Sequence, residues 1–242
     1  MPIELPAMPR EQQEAWQAVF EIHSAMPQGW VLVGGQAVFL HAVERGAPAV
    51  RATKDADVAL DIRAFPTMLH DFTELLVHLG FESQGESLEG YQHRWKRGDA
   101  VVDVLIPRHL GERAEKRRGV TGGTTIAAPA SQQALDRSET VEVLAGFVSG
   151  SVIRPTILGS LIGKAGALTI VNDPLWRRHV DDFLTLASVV RASDLRGITY
   201  KPAEQNHLAN MLGRLTNEPE LMDQVPECAE GVERLRLSLN WL

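Results

Sequence analysis

Two aspartates separated by one residue are the part of this sequence best suited to chemistry. Asp55 and Asp57 lie downstream of an apolar stretch that ends in Gly34-Gly35. Side chains alternate across a β-strand, so both carboxylates are predicted to point to one face. Neighbouring carboxylates repel each other unless a cation lies between them, and oxygen-only ligands suit Mg²⁺ or Mn²⁺. The pair therefore predicts a divalent metal site.

A third acid, Asp103, stands alone in an apolar stretch that covers residues 100–106. A buried carboxylate is costly unless it is paired or binds a cation. Two metal ions need more than two carboxylate ligands, and a third acid can also take a proton from a nucleophile. Asp103 can join Asp55 and Asp57 only if its strand lies beside theirs, and the sequence leaves that strand order open.

Residues around the acidic pair suit phosphate binding. Gly34 and Gly35 allow close approach of the backbone, and the helix predicted after them offers free N–H groups to a phosphate. Gln36 at the helix start suits a contact to a phosphate or base, and equally an ordinary first-turn position. Arg51 and Thr53 share the predicted face of Asp55. Arg51 could contact a phosphate or simply neutralise the acids.

Hydrophobic periodicity places these residues in an α+β fold. The predicted strands cover residues 30–33, 50–61, 91–96, 100–106, 122–128, 141–144 and 148–153. The predicted helices cover residues 9–26, 36–45, 65–79, 156–171, 174–190, 201–217 and 228–240. We therefore expect a mixed sheet flanked by helices, in a domain over residues 1–153 that starts with a helix, followed by a helical domain over residues 154–242.

The helical half carries a second pair of charged residues. If Asn172-Asp173-Pro174 bends a helical hairpin, Lys164 lies nine residues before Asp173 and Asp182 nine residues after it. Such positions sit at similar depth in an antiparallel hairpin and can face each other. Lys164 could then hold a triphosphate oxygen, with Asp182 orienting it. A plain interhelical ion pair is the alternative.

The order of these motifs resembles the nucleotidyltransferase superfamily of the polymerase-beta type. Gly34-Gly35, Asp55-Ala-Asp57 and Asp103 match its pattern of glycines, paired acids and a later acid. More narrowly, the segment from Gly34 to Asp57 resembles the AbiEii/MenT-type nucleotidyltransferase toxins. In that group a Lys and a later Asp of the helical half complete the site, and Lys164 and Asp182 fit those motifs.

The chain also departs from that group. Members often have an Asp three residues before the final Asp, and His179 stands at that position here. The spacing from Gly35 to Asp55 is longer than in generic nucleotidyltransferases. The resemblance implies Asp55, Asp57 and Asp103 as metal ligands, with Asp103 also assisting as base. It also implies an NTP as substrate, a Mg²⁺ or Mn²⁺ cofactor and a cognate antitoxin as partner.

Charge and composition narrow the possible partners. The net charge of −7 and pI of about 5.6 argue against a whole surface built for nucleic acid. Eight of the 24 lysines and arginines nevertheless fall in residues 94–118. This basic region could hold an RNA acceptor or the triphosphate, or it could be a mobile solvated loop.

We expect a cytoplasmic chain. Cys228 is the only cysteine, which excludes an internal disulfide and fits a reducing compartment. The first residues lack the pattern of a signal peptide. The most apolar stretch, residues 151–171, contains Arg154, Pro155 and Lys164, so it is a poor membrane span.

The residues together predict a metal-dependent nucleotidyltransferase that moves an NMP from an NTP to an acceptor hydroxyl. The AbiEii/MenT resemblance favours RNA as acceptor and the role of a toxin in a toxin–antitoxin pair. Two alternatives stay open. One is an antibiotic-type adenylyltransferase, which requires an open cleft with acidic walls for a cationic drug. The other is a non-catalytic nucleotide- or partner-binding module, an option that His179 keeps open.

Overall fold

The structure is a computed structural model that describes residues 1–47 and 54–239. The described residues form nine β-strands and ten α-helices, which confirms the α+β class. The strands are β1 (Ile3–Leu5), β2 (Trp30–Val33), β3 (Asp55–Leu60), β4 (Glu82–Ser83), β5 (Arg94–Arg97), β6 (Ala100–Pro107), β7 (Ile126–Ala128), β8 (Ser138–Ala145) and β9 (Val148–Pro155).

The ten helices range from four to sixteen residues in length. They are α1 (Arg10–Ala25), α2 (Gly34–Glu44), α3 (Met68–His78), α4 (Glu112–Glu115), α5 (Ser131–Asp136), α6 (Ile157–Ala167), α7 (Trp176–Val189), α8 (Ala192–Leu195), α9 (Pro202–Asn217) and α10 (Ala229–Ser238). Two 3₁₀ segments precede α10, at Pro219–Gln224 and Pro226–Cys228. No helix in the described ranges is both long and apolar enough to cross a membrane.

A mixed sheet with the strand order β2-β3-β6-β5-β4 forms the centre of the molecule, and β7 also pairs with β6. β3 and β6 are parallel, whereas β2 and β5 run antiparallel to the strands beside them. Along β3 and β6 the core-facing residues Ala56, Val58, Val102 and Val104 are buried. The residues between them, including the three aspartates, therefore face the opposite side of the sheet.

A smaller sheet and a helical layer complete the fold. β8 and β9 form an antiparallel hairpin, and β1 pairs parallel to β8. One hydrophobic core lies around the central sheet and includes Trp16, Trp30 and Trp95. A second core is built mainly from α6, α7, α9 and α10, with Val38 and Ala130 joining it from the first half of the chain. The division into domains at residues 153/154 stays a prediction.

Three predicted boundaries in this region were wrong. Pro155 is the last residue of β9, and α6 begins at Ile157, one residue after the predicted start. The Oγ1 of the preceding Thr156 accepts a hydrogen bond from the Gly159 N–H at 3.2 Å. This side-chain cap fixes the helix start. α6 ends at Ala167, four residues before the predicted end. The predicted strand over residues 122–128 is reduced to β7, because a glycine-rich turn occupies its first half.

Candidate functional site

Four strands of the central sheet place four residues in one row. Val33 on β2 is opposite Asp57 on β3, Asp57 is opposite Asp103 on β6, and Asp103 is opposite Arg94 on β5. Because paired residues of neighbouring strands share a face, the two carboxylates and the guanidinium lie on the same side of the sheet. Asp55 lies two residues before Asp57 and faces that side too. The strand order that the sequence left open thus brings the three acids together.

Arg94 links two of these acids. Its Nε donates to Asp103 Oδ1 at 2.9 Å and its Nη2 donates to Asp103 Oδ2 at 2.6 Å. Nη2 also donates to Asp55 Oδ2 at 3.1 Å. The bidentate pairing with Asp103 is the strongest arrangement of a guanidinium and a carboxylate. The neighbouring carboxylates in turn raise the pKa of Arg94, with the hydrogen bond to Asp103 as the largest cause.

The negative charge of the Asp57 carboxylate is disfavoured by its surroundings in the cleft. Burial, followed by the Asp103 carboxylate, raises the pKa of Asp57 to about 6, while Lys164 and Arg178 act in the opposite direction. A carboxyl whose ionised form is disfavoured in this way is stabilised by an additional cation. The chemistry of the row therefore favours a positively charged ligand.

Gly34 is required by the position of Asp57. The backbone of Gly34 has a φ of +69°, a conformation that L side chains rarely adopt, and a Cβ built there would lie 1.9 Å from Asp57 Oδ2. Only glycine fits, because any side chain would both strain the backbone and displace the carboxylate. α2 begins at Gly34 directly after β2, so its N-terminus lies beside the row of acids. Gly35 lines the same cleft.

Lys164 and Asp182 meet across the hairpin formed by α6 and α7. Lys164 Nζ donates to Asp182 Oδ2 at 2.6 Å, and the two residues are only 9% and 6% exposed. The bend between the helices includes Asn172, which has a φ of +58°. Asp173 stabilises the bend, because its Oδ1 accepts a hydrogen bond from the Leu175 N–H at 2.8 Å. The facing arrangement expected from the spacing is thus present.

His179, which replaces the acid expected from the family pattern, is held at the same bend. Its Nε2 lies 2.9 Å from Asp173 Oδ2. Burial, followed by the nearby Lys164 and Arg178, lowers the pKa of His179 to about 4. The imidazole is therefore neutral near pH 7 and adds no charge to the site.

One cleft of about 470 Å³ joins the sheet row to the α6–α7 hairpin. This volume falls within the range of roughly 300–1,000 Å³ that is usual for small-molecule sites. Among the described residues that line it, four acids are matched by four lysines and arginines. They are Asp55, Asp57, Asp103 and Asp182, and Arg94, Arg108, Lys164 and Arg178.

One of the predicted nucleotide contacts, Gln36, does not line this cleft, and two others lie outside the described residues. Gln36 is 2% exposed, is not among the residues that line the cleft, and has neither amide atom bonded to a partner in the described ranges. Gln36 lies on α2, and successive helical residues point in different directions, so it turns away while Gly35 and Ala37 face the cleft. Arg51 and Thr53 lie outside the described residues.

Sequence analysis missed Arg94, Ser160 and Arg178 as individual site residues. The hairpin of β5 and β6 contained the signal for Arg94, since a turn at Gly98-Asp99 places Arg94 opposite Asp103. Ser160 lies one helical turn before Lys164, hence on the same face of α6. It is 6% exposed, and its Oγ has no hydrogen-bond partner within the described residues. Arg178 lines the cleft from α7.

Two arginines of the predicted basic region are held against other parts of the chain by backbone carbonyl groups. Arg97 donates to the Leu79 carbonyl oxygen at 2.9 Å and lies over the Phe81 ring, and Arg117 donates to the Ile62 carbonyl oxygen. These contacts hold loops against the core. Of the eight basic residues in the region, which the structure describes throughout, Arg94 and Arg108 line the cleft.

The carboxylate oxygens of the row are of the type that binds a divalent cation, but they do not converge on one point in this structure. Within the described residues, no three His, Cys, Asp or Glu side chains are grouped closely enough to hold a metal ion. Carboxylate oxygens are nevertheless the ligands that Mg²⁺ and Mn²⁺ prefer. The raised pKa of Asp57 reflects its burial first and the neighbouring Asp103 carboxylate second. Arg94 is hydrogen-bonded to two of these carboxylates, those of Asp55 and Asp103.

Comparison with known proteins identifies no family for this chain. No protein-family model and no curated protein matches it. A search of solved structures finds the solution structure of the antibiotic-resistance factor ANT(2″)-Ia, with a TM-score of 0.43 and 14% sequence identity. The match covers 90% of this chain and 100% of that one. Similarity at this level establishes neither a shared fold nor a shared activity.

Proposed function

We propose that this chain is a metal-dependent nucleotidyltransferase that moves an NMP from an NTP to an acceptor hydroxyl. The observation that carries the proposal is the pairing of Asp57 with Asp103 on parallel strands, with Asp55 on the same face, in one cleft with Lys164. Clustered carboxylates opposite cations are what a metal–triphosphate complex requires, because the acids bind the metal and the cations bind phosphate oxygens.

Each residue has a distinct role in this proposal. Asp55, Asp57 and Asp103 would hold Mg²⁺ or Mn²⁺, which when bound stabilises negative charge on the reacting phosphate. The N–H groups of α2 behind Gly34 and Gly35 suit the β- and γ-phosphates. Lys164, kept in place by Asp182, donates to phosphate oxygens on the other wall of the cleft.

The proposed reaction is a single nucleophilic displacement at the α-phosphorus of the NTP. The acceptor oxygen forms a bond to the α-phosphorus, the bond from that phosphorus to the bridging oxygen breaks, and pyrophosphate leaves. Asp103 accepts the proton of the attacking hydroxyl. Lys164 and Arg178 offset the negative charge that develops on the leaving pyrophosphate.

The charges of the cleft favour a phosphate-bearing acceptor, and we propose RNA. Three of the four lining acids form the metal-binding row and Asp182 is bonded to Lys164. The cationic side chains of Arg108 and Arg178 complete the lining. An acidic wall, which a cationic antibiotic would need, is therefore not available from the described residues once the row holds metal. Positive side chains beside the site instead suit a nucleic-acid backbone.

We further propose the role of a toxin that is neutralised by a cognate antitoxin. This step rests on the resemblance of Gly34-Gly35, Asp55-Ala-Asp57, Lys164 and Asp182 to the AbiEii/MenT group. Expression of the intact chain alone should then arrest growth, whereas expression of the Asp57→Asn variant should not. Growth arrest by both proteins to the same extent would separate any toxicity from nucleotidyl transfer.

The activity is tested by incubating purified protein with each α-³²P-labelled NTP, Mg²⁺ and total cellular RNA. We expect label on RNA, with release of one pyrophosphate for each nucleotide added. Label on a small molecule instead would support the antibiotic-type alternative. Binding of Mg²⁺·NTP without pyrophosphate release on any acceptor would assign the cleft to a non-catalytic nucleotide-binding module.

A further inference from the structure

Arg94 is bonded to two of the three carboxylates of the acidic row, which consists of Asp55, Asp57 and Asp103. Its guanidinium contacts both Asp103 oxygens, at 2.9 and 2.6 Å, and one Asp55 oxygen at 3.1 Å. A divalent ion shared by the row would need the same oxygen atoms. Two positive groups cannot occupy that space together, because each excludes the other sterically and by charge.

The Arg94 side chain is exposed enough to leave the carboxylates and rotate into solvent. The Arg94 side chain is 46% exposed, whereas that of Asp103 is only 10% exposed. The backbone of Arg94 is fixed opposite Asp103 by the β5–β6 pairing, so the acids stay in place when the flexible side chain rotates towards solvent. Partly exposed ion pairs are weak enough to exchange in this way.

We propose that Arg94 is the resident counter-ion of the acidic row, and that it and the divalent metal bind Asp103 and Asp55 in competition. This inference rests on the proposed metal site and adds a control on its occupancy. The free protein binds the metal ion weakly because Arg94 must first be displaced. The metal–nucleotide complex displaces Arg94 more readily, because the guanidinium then exchanges its carboxylate partners for phosphate oxygens of the nucleotide bound in the same cleft.

The competition has a measurable consequence for metal affinity. The apparent affinity of the row for metal equals the intrinsic affinity multiplied by the fraction of molecules in which Arg94 has left the carboxylates. A guanidinium docked in about nine molecules out of ten therefore weakens binding about tenfold. Removing the guanidinium should restore the intrinsic affinity. Arg94→Lys, which keeps the charge but cannot contact both Asp103 oxygens in the same planar geometry, should give an intermediate value.

The test is Mn²⁺ binding without nucleotide, followed by the electron paramagnetic resonance signal of free Mn²⁺. The wild type is compared with Arg94→Gln and with a control variant, Lys96→Gln. Lys96 is an exposed residue two positions after Arg94 on β5, so the control removes one positive charge nearby. We expect Arg94→Gln to bind Mn²⁺ about tenfold more tightly than the wild type and Lys96→Gln to match the wild type. The melting temperature of Arg94→Gln should also rise more on Mn²⁺ addition.

Other outcomes separate this inference from the proposed function. If Arg94→Gln and Arg94→Lys bind Mn²⁺ no more tightly than the wild type, while Asp57→Asn loses binding, the competition is wrong and the metal site stands. If Lys96→Gln strengthens binding as much as Arg94→Gln, the effect is general charge removal and the competition is again wrong. If no folded variant binds Mn²⁺ and the wild type binds no Mn²⁺·NTP, both the competition and the proposed function fail.

Discussion

Asp57 and Asp103 are direct neighbours on two parallel strands, so their carboxylates lie side by side on the cleft face of the central sheet. Of these two acids, the Arg94 guanidinium bonds only to Asp103. Burial and Asp103 together raise the pKa of Asp57 to about 6. The free energy needed to ionise Asp57 lowers the stability of the free protein, and a bound metal ion would relieve this cost.

The first prediction concerns the stability of Asp57→Asn as a function of pH. The folded protein holds the Asp57 proton up to about pH 6, whereas a carboxyl of ordinary pKa 3.8 in the unfolded chain has lost it. Between these values the folded state binds more protons than the unfolded state, so the free energy of unfolding of the wild type falls as the pH rises. Asp57→Asn lacks this loss and should be more stable by about 1–2 kcal/mol at pH 7, after allowance for solvent screening.

Urea unfolding of both proteins in EDTA, at pH 4 and pH 7, measures the difference. The advantage of Asp57→Asn should be small at pH 4 and present at pH 7. An advantage that is equal at both pH values, or larger at pH 4, contradicts the pKa assigned to Asp57.

The second prediction concerns the close approach of Gly34 to Asp57. Gly34→Ala introduces a methyl group 1.9 Å from Asp57 Oδ2 at a φ of +69°, and should lower stability by about 2–4 kcal/mol from strain and overpacking. Gly197 has the same φ of +69°, and no atom of the described residues lies within 4 Å of a Cβ built there. Gly197→Ala should therefore cost only the backbone strain, about 1 kcal/mol.

Thermal unfolding and nucleotide transfer together separate the two glycines. Gly34→Ala should lose both stability and transfer, and Gly197→Ala should keep transfer. Equal losses of stability in the two variants would mean that contact with Asp57 does not determine the need for glycine at position 34.

The third prediction distinguishes a functional Lys164 from a plain ion pair. Lys164→Met leaves the Asp182 carboxylate in a buried position and should lower the free energy of unfolding by about 3 kcal/mol. Replacing both residues, as in Lys164→Met with Asp182→Leu, should recover most of that loss, because the buried charge is removed with its partner. Transfer should stay abolished in both variants. Recovery of transfer in the double variant would reduce the pair to a structural role.

The fourth prediction concerns two adjacent arginines on α7. Arg178 lines the cleft and acts on the charge of Asp57, whereas Arg177 is exposed and is not among the residues that line the cleft. Arg178→Gln should weaken binding of a nucleoside triphosphate about 5-fold to 20-fold at low salt, and less at high salt. Arg177→Gln should change it little. Titration of both variants at two salt concentrations measures the effect, and similar losses would assign it to net charge rather than to position.

Local pattern was sufficient to predict much of this site. The glycine pair, the alternation of Asp55 and Asp57, and the spacing of Lys164 and Asp182 around Asn172-Asp173-Pro174 each depend on short stretches of chain. The pairing of Arg94 with Asp103 was also within reach, because a two-residue turn fixes the register of a hairpin. The sequence pattern alone does not distinguish Arg94 from the other seven basic residues of positions 94–118.

Other features depend on contacts between distant parts of the chain. The parallel pairing of β3 with β6 joins segments more than forty residues apart, so no local pattern specifies it. The orientation of Gln36 likewise depends on the residue at which α2 begins, and the helix starts two residues earlier than predicted. The contacts of Arg97 and Arg117 with backbone carbonyl groups also join distant parts of the chain.

The central claim is that the carboxylates of Asp57 and Asp103 act together in nucleotidyl transfer. Its most direct test is transfer of label from α-³²P-NTP to RNA by the wild type, Asp57→Asn and Asp103→Asn, with circular dichroism to confirm that each protein is folded. We predict transfer by the wild type and a loss of at least about a hundredfold in each folded variant. Transfer at the wild-type rate by either folded variant would contradict the claim.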